Sequence, residues 1–219
     1  MKRILILAFT ALSSLCGCYT TEDAADVNQD RIKANYCTTF NGTRATTKSV
    51  INFRFGQTPL RVSHSPLFRD KKLYEKEDII FGLHYAKTLD GIKSGNYEWT
   101  DENGTVYTNY VRAYSFSLPQ PPSELKKFTY YKLNWQGEEI PYEEGNFTVS
   151  IKSLEEHVTT SFSSGPLIEI HSDDLIDLPT GRARMTISRQ HQEPVDEGTQ
   201  AGGQSRVIFE QEYEILIID

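Results

Sequence analysis

The sequence predicts an all-β protein built of antiparallel sandwiches. Two observations carry that prediction: hydrophobic residues recur at every second position through most of the chain, and turn residues interrupt these runs every 8 to 12 residues or so. The last run is the clearest. Val207, Phe209, Gln211, Tyr213, Ile215 and Ile217 fall on one face and Glu210, Glu212 and Glu214 on the other, as in a strand that buries one face and wets the other.

Along the chain, Ile51, Phe53 and Phe55 share a face opposite Asn52 and Arg54, and Gly56 ends the run. The segments 95–100 and 105–111 flank Asp101-Glu102-Asn103-Gly104, where Asn-Gly predicts a tight type I′ hairpin because both residues tolerate positive φ. Tyr114, Phe116 and Leu118 close a first β-rich half. Pro119, Pro121 and Pro122 then interrupt any ladder, since proline has no N–H to donate.

Beyond them come Tyr131 to Trp135, Phe147 to Ile151, Leu167 to Ile170, and Ala183 to Ile187. Helix is confined to one short turn at residues 172–178, with Ser172 expected as N-cap and Pro179 and Gly181 as the stop. The expected organisation is a signal segment at 1–17, a flexible acidic tether at 18–33, a first immunoglobulin- or fibronectin-like sandwich at 34–118, a Pro-rich linker at 119–124 and a second sandwich at 125–219. The alternative is one larger sandwich or barrel.

The first eighteen residues combine Lys2 and Arg3, an apolar run from Ile4 to Leu15, and Leu15-Cys16-Gly17-Cys18. A basic start, a short apolar stretch and small residues at the cut mark an export signal too short to span a bilayer. The tetrad resembles the lipobox of bacterial lipoproteins, with Leu15 three residues before the modified Cys18 and Gly17 directly before it. The resemblance implies a palmitate-type acyl anchor on Cys18. Two or more chains hold a protein stably, whereas one is marginal.

Tyr19 rather than Asp follows Cys18, which by the same resemblance implies an outer-membrane location, on the periplasmic side or the cell surface. Glu22-Asp23 is similar to the surface-export signals of Bacteroidota lipoproteins, and the chain from Ile168 onward resembles the C-terminal β-region of outer-membrane lipoproteins. About fifteen extended tether residues would reach on the order of 50 Å from the lipid.

The chain carries 23 basic and 30 acidic residues, a net charge of −7. Loss of Lys2 and Arg3 with the signal leaves 21 against 30, or −9, which disfavours nucleic acid as a partner. With Cys16 removed and Cys18 acylated, Cys37 has no disulfide partner and is expected to be buried and inert.

No metal or other cofactor is expected. The histidines are dispersed, and the acids around His171, Asp173, Asp174 and Asp177 are explained by helix capping. No nucleophile elbow, phosphate loop or dinucleotide fingerprint occurs, so the expected class is a non-enzymatic binding or scaffold protein acting on an envelope protein or glycan. The alternatives are an inhibitor or immunity lipoprotein directed at an envelope enzyme, and a cryptic envelope hydrolase.

The aromatic residues, Tyr97, Trp99, Tyr107 and Trp135 among them, read as core and strand-pair partners. The segment from Gln190 to Gln204 is long and polar between two well-patterned runs. Within it, Gln190, His191, Glu193, Asp196, Glu197 and Gln200 are the expected partner-binding residues, and shortening this loop is expected to leave stability nearly unchanged.

Overall fold

The computed structural model describes residues 21–78, 82–140 and 146–219. The nine longer strands are β1 (Ile32–Asn41), β2 (Thr46–Phe55), β3 (Gly82–Asp90), β4 (Gly95–Thr100), β5 (Val106–Val111), β6 (Asn146–Ser153), β7 (Thr159–Gly165), β8 (Gly181–Glu193) and β9 (Gly203–Ile218). The fold is an all-β sandwich.

One long sheet forms the back of the molecule. Its main path runs from Glu22–Asp23 through Thr58–Arg61, β2, β1, β9, β8, β6 and β7, while β3 also pairs with β2. The alternation in the sequence decides which face of each strand is buried. Ile32, Ala34, Tyr36 and Phe40 of β1, Ile51 and Phe53 of β2, and Val207, Phe209, Ile215 and Ile217 of β9 all point into one core.

Two groups of smaller strands cover that inner face. Over β1 and β2 lies a sheet containing β5, β4, Leu67–Phe68 and Lys71–Lys72. It brings Trp99 to 4.9 Å from Phe53 and Tyr97 to 5.0 Å from Tyr36, ring centre to ring centre. Over β6, β8 and β9 lie the pairs Phe116–Ser117 with Gln136–Gly137 and Tyr131–Leu133 with Ile168–Ile170. There Phe116 meets both Phe147 and Phe209 edge to face. Such tilted aromatic contacts add roughly 0.5–1.5 kcal/mol each to the area they bury.

The expected division into two sandwiches gives way to a shared sheet. β9 runs parallel to β1, from Gly203 beside Ala34 to Glu210 beside Asn41, and antiparallel to β8 along its whole length. The last strand therefore joins the 34–118 and 125–219 halves through backbone hydrogen bonds and a common core. The expected linker is also tied in: Glu124–Lys126 lies parallel to Leu216–Ile218, and Leu125 is fully buried. Its prolines precede the paired residues, so they cost the ladder nothing.

Residues 21–33 are likewise folded rather than a tether. Glu22–Asp23 pairs with Leu60–Arg61, Ala24 and Ile32 are buried, and the Gln29 amide donates to the carbonyls of Ala24 (2.6 Å) and Val27 (2.9 Å). Apolar residues spaced too widely for any regular period anchor this stretch, which explains why its acidic composition suggested a linker.

Two local expectations shift. The hairpin between β4 and β5 is not type I′: among its central residues only Gly104 has positive φ. The buried Asp101 carboxylate accepts from the N–H groups of Asn103 (2.9 Å) and Thr105 (2.8 Å), and this selects a wider turn with Gly104 in the left-handed position. The short helix Ser172–Leu175 has His171 rather than Ser172 as its N-cap, because Asp174 reaches back to the His171 N–H at 2.7 Å.

Candidate functional site: a polar cleft on the open face of the sheet

The face of the long sheet opposite the core carries the chemistry. On β1 and β2, Asn35 stands directly opposite Asn52, and its amide donates to Asn52 Oδ1 at 3.1 Å. On the other side of β1, Gln204 of β9 pairs with Asn35 and Arg206 with Cys37. Across β9, Gln192 of β8 pairs with Arg206. Strand alternation puts all of these on one face, and cross-strand pairing sets them side by side at about 5 Å.

The result is two adjoining clefts that share Gln192 and Arg206. One, of about 210 Å³, is lined by Asn35, Cys37, Val50, Asn52, Gln192, Gln204 and Arg206. The other, of about 360 Å³, is bounded by Asn146, Gln190, Gln192 and Arg206. Arg206 bridges them, with its guanidinium donating to Gln190 Oε1.

One atom in this site is unsatisfied. Asn35 Oδ1 is buried and accepts no hydrogen bond. A buried acceptor without a donor costs about 1–3 kcal/mol. Cys37 lies beside it, half-buried; burial pushes its thiol up, while Arg206 and Lys48 pull in the opposite direction. A thiol held protonated is a poor nucleophile.

Of the residues expected to bind a partner, Gln190 alone has its side chain in the cleft. The loop is shorter than expected, because β8 extends to Glu193 and β9 begins at Gly203. His191 and Glu193 project to the inner face, where their side chains are 2% and 8% exposed and meet at 2.9 Å. The Tyr114 ring abuts His191 edge to face at 4.9 Å. A sealed dyad of this kind offers no surface to a substrate.

Asp196 and Glu197 belong to a strap along the edge of β5. Glu197 Oε2 accepts from the Thr108 N–H (2.6 Å), and Asp196 Oδ2 lies 3.4 Å from the Tyr110 N–H. Gln200 lines a separate surface depression with Asp30, Arg31 and Lys33. Cys18 lies outside the described residues. Among the described residues, no group of three or more His, Cys, Asp or Glu side chains could hold a metal ion.

Sequence reasoning passed over Asn35, Asn52, Gln192, Gln204 and Arg206. Their signal was present as polar amides at alternate positions on strands whose other face is core. What no sequence pattern supplied was the parallel pairing of β9 with β1, which brings residues about 170 positions apart into one row. No protein-family model matches the chain, and a search of curated proteins finds no similar sequence.

Proposed function

We propose that this protein is a lipid-anchored, non-enzymatic binding protein of the bacterial envelope, held by acylated Cys18 at the outer membrane, and that its polar sheet-face cleft binds a glycan. The single observation that carries the binding reading is the Asn35 acceptor, orphaned in a cleft whose other linings are mainly amides and a guanidinium. Amide and guanidinium groups present fixed donors and acceptors at a spacing suited to vicinal hydroxyls, and a ligand hydroxyl donating to Asn35 Oδ1 would remove the penalty of leaving it unmet.

The anchor reading is supported by the lipobox-like Leu15 to Cys18. Because Glu22 is part of the sheet, the four residues from Cys18 to it limit that distance to about 14 Å. The domain would stand against the headgroup layer rather than far above it. Retention of the full-length protein on immobilised envelope polysaccharide, with loss of retention on Asn35→Ala and Gln192→Ala substitution, tests the binding reading. Equal retention of wild type and variant would place recognition elsewhere on the protein.

A further inference from the structure

We infer that the ligand of this cleft is an acidic glycan, a polysaccharide bearing uronate carboxylates; this rests on the glycan reading above. The inference comes from the cations on the same face. Lys33 stands opposite Arg54, and Lys48 opposite Thr39. Together with Arg206 they bracket the amide row along β1 and β2, with Lys33 and Lys48 at its two ends.

None of these four cations forms an ion pair among the described residues, although Arg44, Arg61, Arg112, Arg182 and Arg184 all do. The acids farther along the same face of β9 are already engaged, Glu210 by Asn41, Glu212 by Arg44 and Arg184, and Glu214 by Arg182, which leaves the four cations around the amide row without a carboxylate among the described residues. Like charges directly opposed on neighbouring strands destabilise the sheet, as Lys33 and Arg54 do. A bound anion offsets that repulsion by attracting both cations.

The geometry favours an extended chain that carries hydroxyls between its charges. Lys33 and the position of Thr39, beside Lys48, are six residues apart on β1, about 20 Å. Between them stand Asn35 with Asn52, while Arg206 flanks Cys37. A polymer that alternates carboxylates with hydroxyls meets both kinds of group in turn. Nucleic acid lacks ranks of vicinal hydroxyls to set against the amides between the cations.

The test is affinity electrophoresis of the full-length protein in detergent, through gels containing polygalacturonate, alginate or hyaluronate, with dextran and duplex DNA as comparators. Retardation by at least one of the three uronate polymers is expected, weakened by added salt and by methyl esterification of the polygalacturonate. Lys48→Gln with Arg206→Gln should weaken it about tenfold. Lys126→Gln with Lys132→Gln, the same charge change beside the C-terminal end of β9 and on the covering strand opposite Glu169, should not.

Each other outcome is decisive. Retardation by dextran as strong as by the uronates overturns the acidic inference and leaves the glycan reading standing. Absence of retardation by every polymer overturns both. Equal retardation by DNA, or equal loss in the two double variants, marks a generic charge effect and overturns the inference.

Discussion

The side-chain amide of Asn109 pairs with the backbone of Glu197 in both directions: Asn109 Nδ2 donates to the Glu197 carbonyl at 2.8 Å, and the Glu197 N–H donates to Asn109 Oδ1 at 3.1 Å. A side chain on β5 thus mimics a strand partner for the loop between β8 and β9. The far end of that loop is held as well, by Thr199 Oγ1 on the Ile32 carbonyl (2.6 Å) and by the Ala201 N–H on the Asp30 carbonyl (3.0 Å). The loop straps the small sheet to the long one.

Asn109→Ala should therefore destabilise the protein by about 1 kcal/mol or more, because it removes two part-buried hydrogen bonds to the Glu197 backbone and the buried one to the Tyr36 hydroxyl. Replacing residues 194–202 by a short Asn-Gly turn should cost more still. Chemical denaturation of both variants measures this. A midpoint unchanged in the shortened protein would mean that the strap carries no stability, as the sequence had suggested.

Tyr36 is the second such junction. Its phenolic oxygen accepts from Trp99 Nε1 (3.0 Å) and from Asn109 Nδ2 (2.9 Å), and burial holds the phenol far above its ordinary range. Tyr36→Phe keeps the ring but strands the Trp99 indole N–H and one of the two Asn109 amide hydrogens, so a loss of about 1–3 kcal/mol is expected. A loss below 0.5 kcal/mol, on the order of a surface substitution, would show that the hydroxyl is dispensable.

Gly203 opens β9 against Ala34, and a Cβ there would overlap the Ala34 carbonyl oxygen. That contact is with backbone and cannot be relieved by a rotamer change. Gly203→Ala should force the parallel strands apart at the edge of the cleft, destabilising by about 2 kcal/mol or more. Amide exchange along β1 should accelerate near Ala34. Wild-type exchange in the variant would contradict the parallel pairing itself.

Cys18→Ala should abolish metabolic labelling by a palmitate analogue and leave an unprocessed precursor, whereas Cys16→Ala should change neither. Labelling retained in the Cys18 variant would remove the proposed anchor.

Much of the fold was legible because a strand with one wet face writes its burial into every second residue. Phe53 and Phe209 were assigned inward on that basis, and they are 0% and 5% exposed. What alternation cannot encode is which strand lies beside which. The pairing of β9 with β1 is non-local and parallel, so nothing near either strand announces it, and without it the halves look like separate domains. The candidate site depends on the same pairing. Gln190 was identified because it borders a conspicuous loop, whereas Asn35 and Arg206 become neighbours only once the sheet is assembled.

The most direct test of the central claim is a titration of the uronate polymer that retards the protein into wild type and into the Asn35→Ala, Asn52→Ala, Gln192→Ala variant, followed by calorimetry at low salt. The cleft account predicts saturable binding by wild type, and binding at least tenfold weaker by a variant whose thermal midpoint stays within a few degrees of wild type. Equal affinity in the two proteins, with both folded, would contradict it.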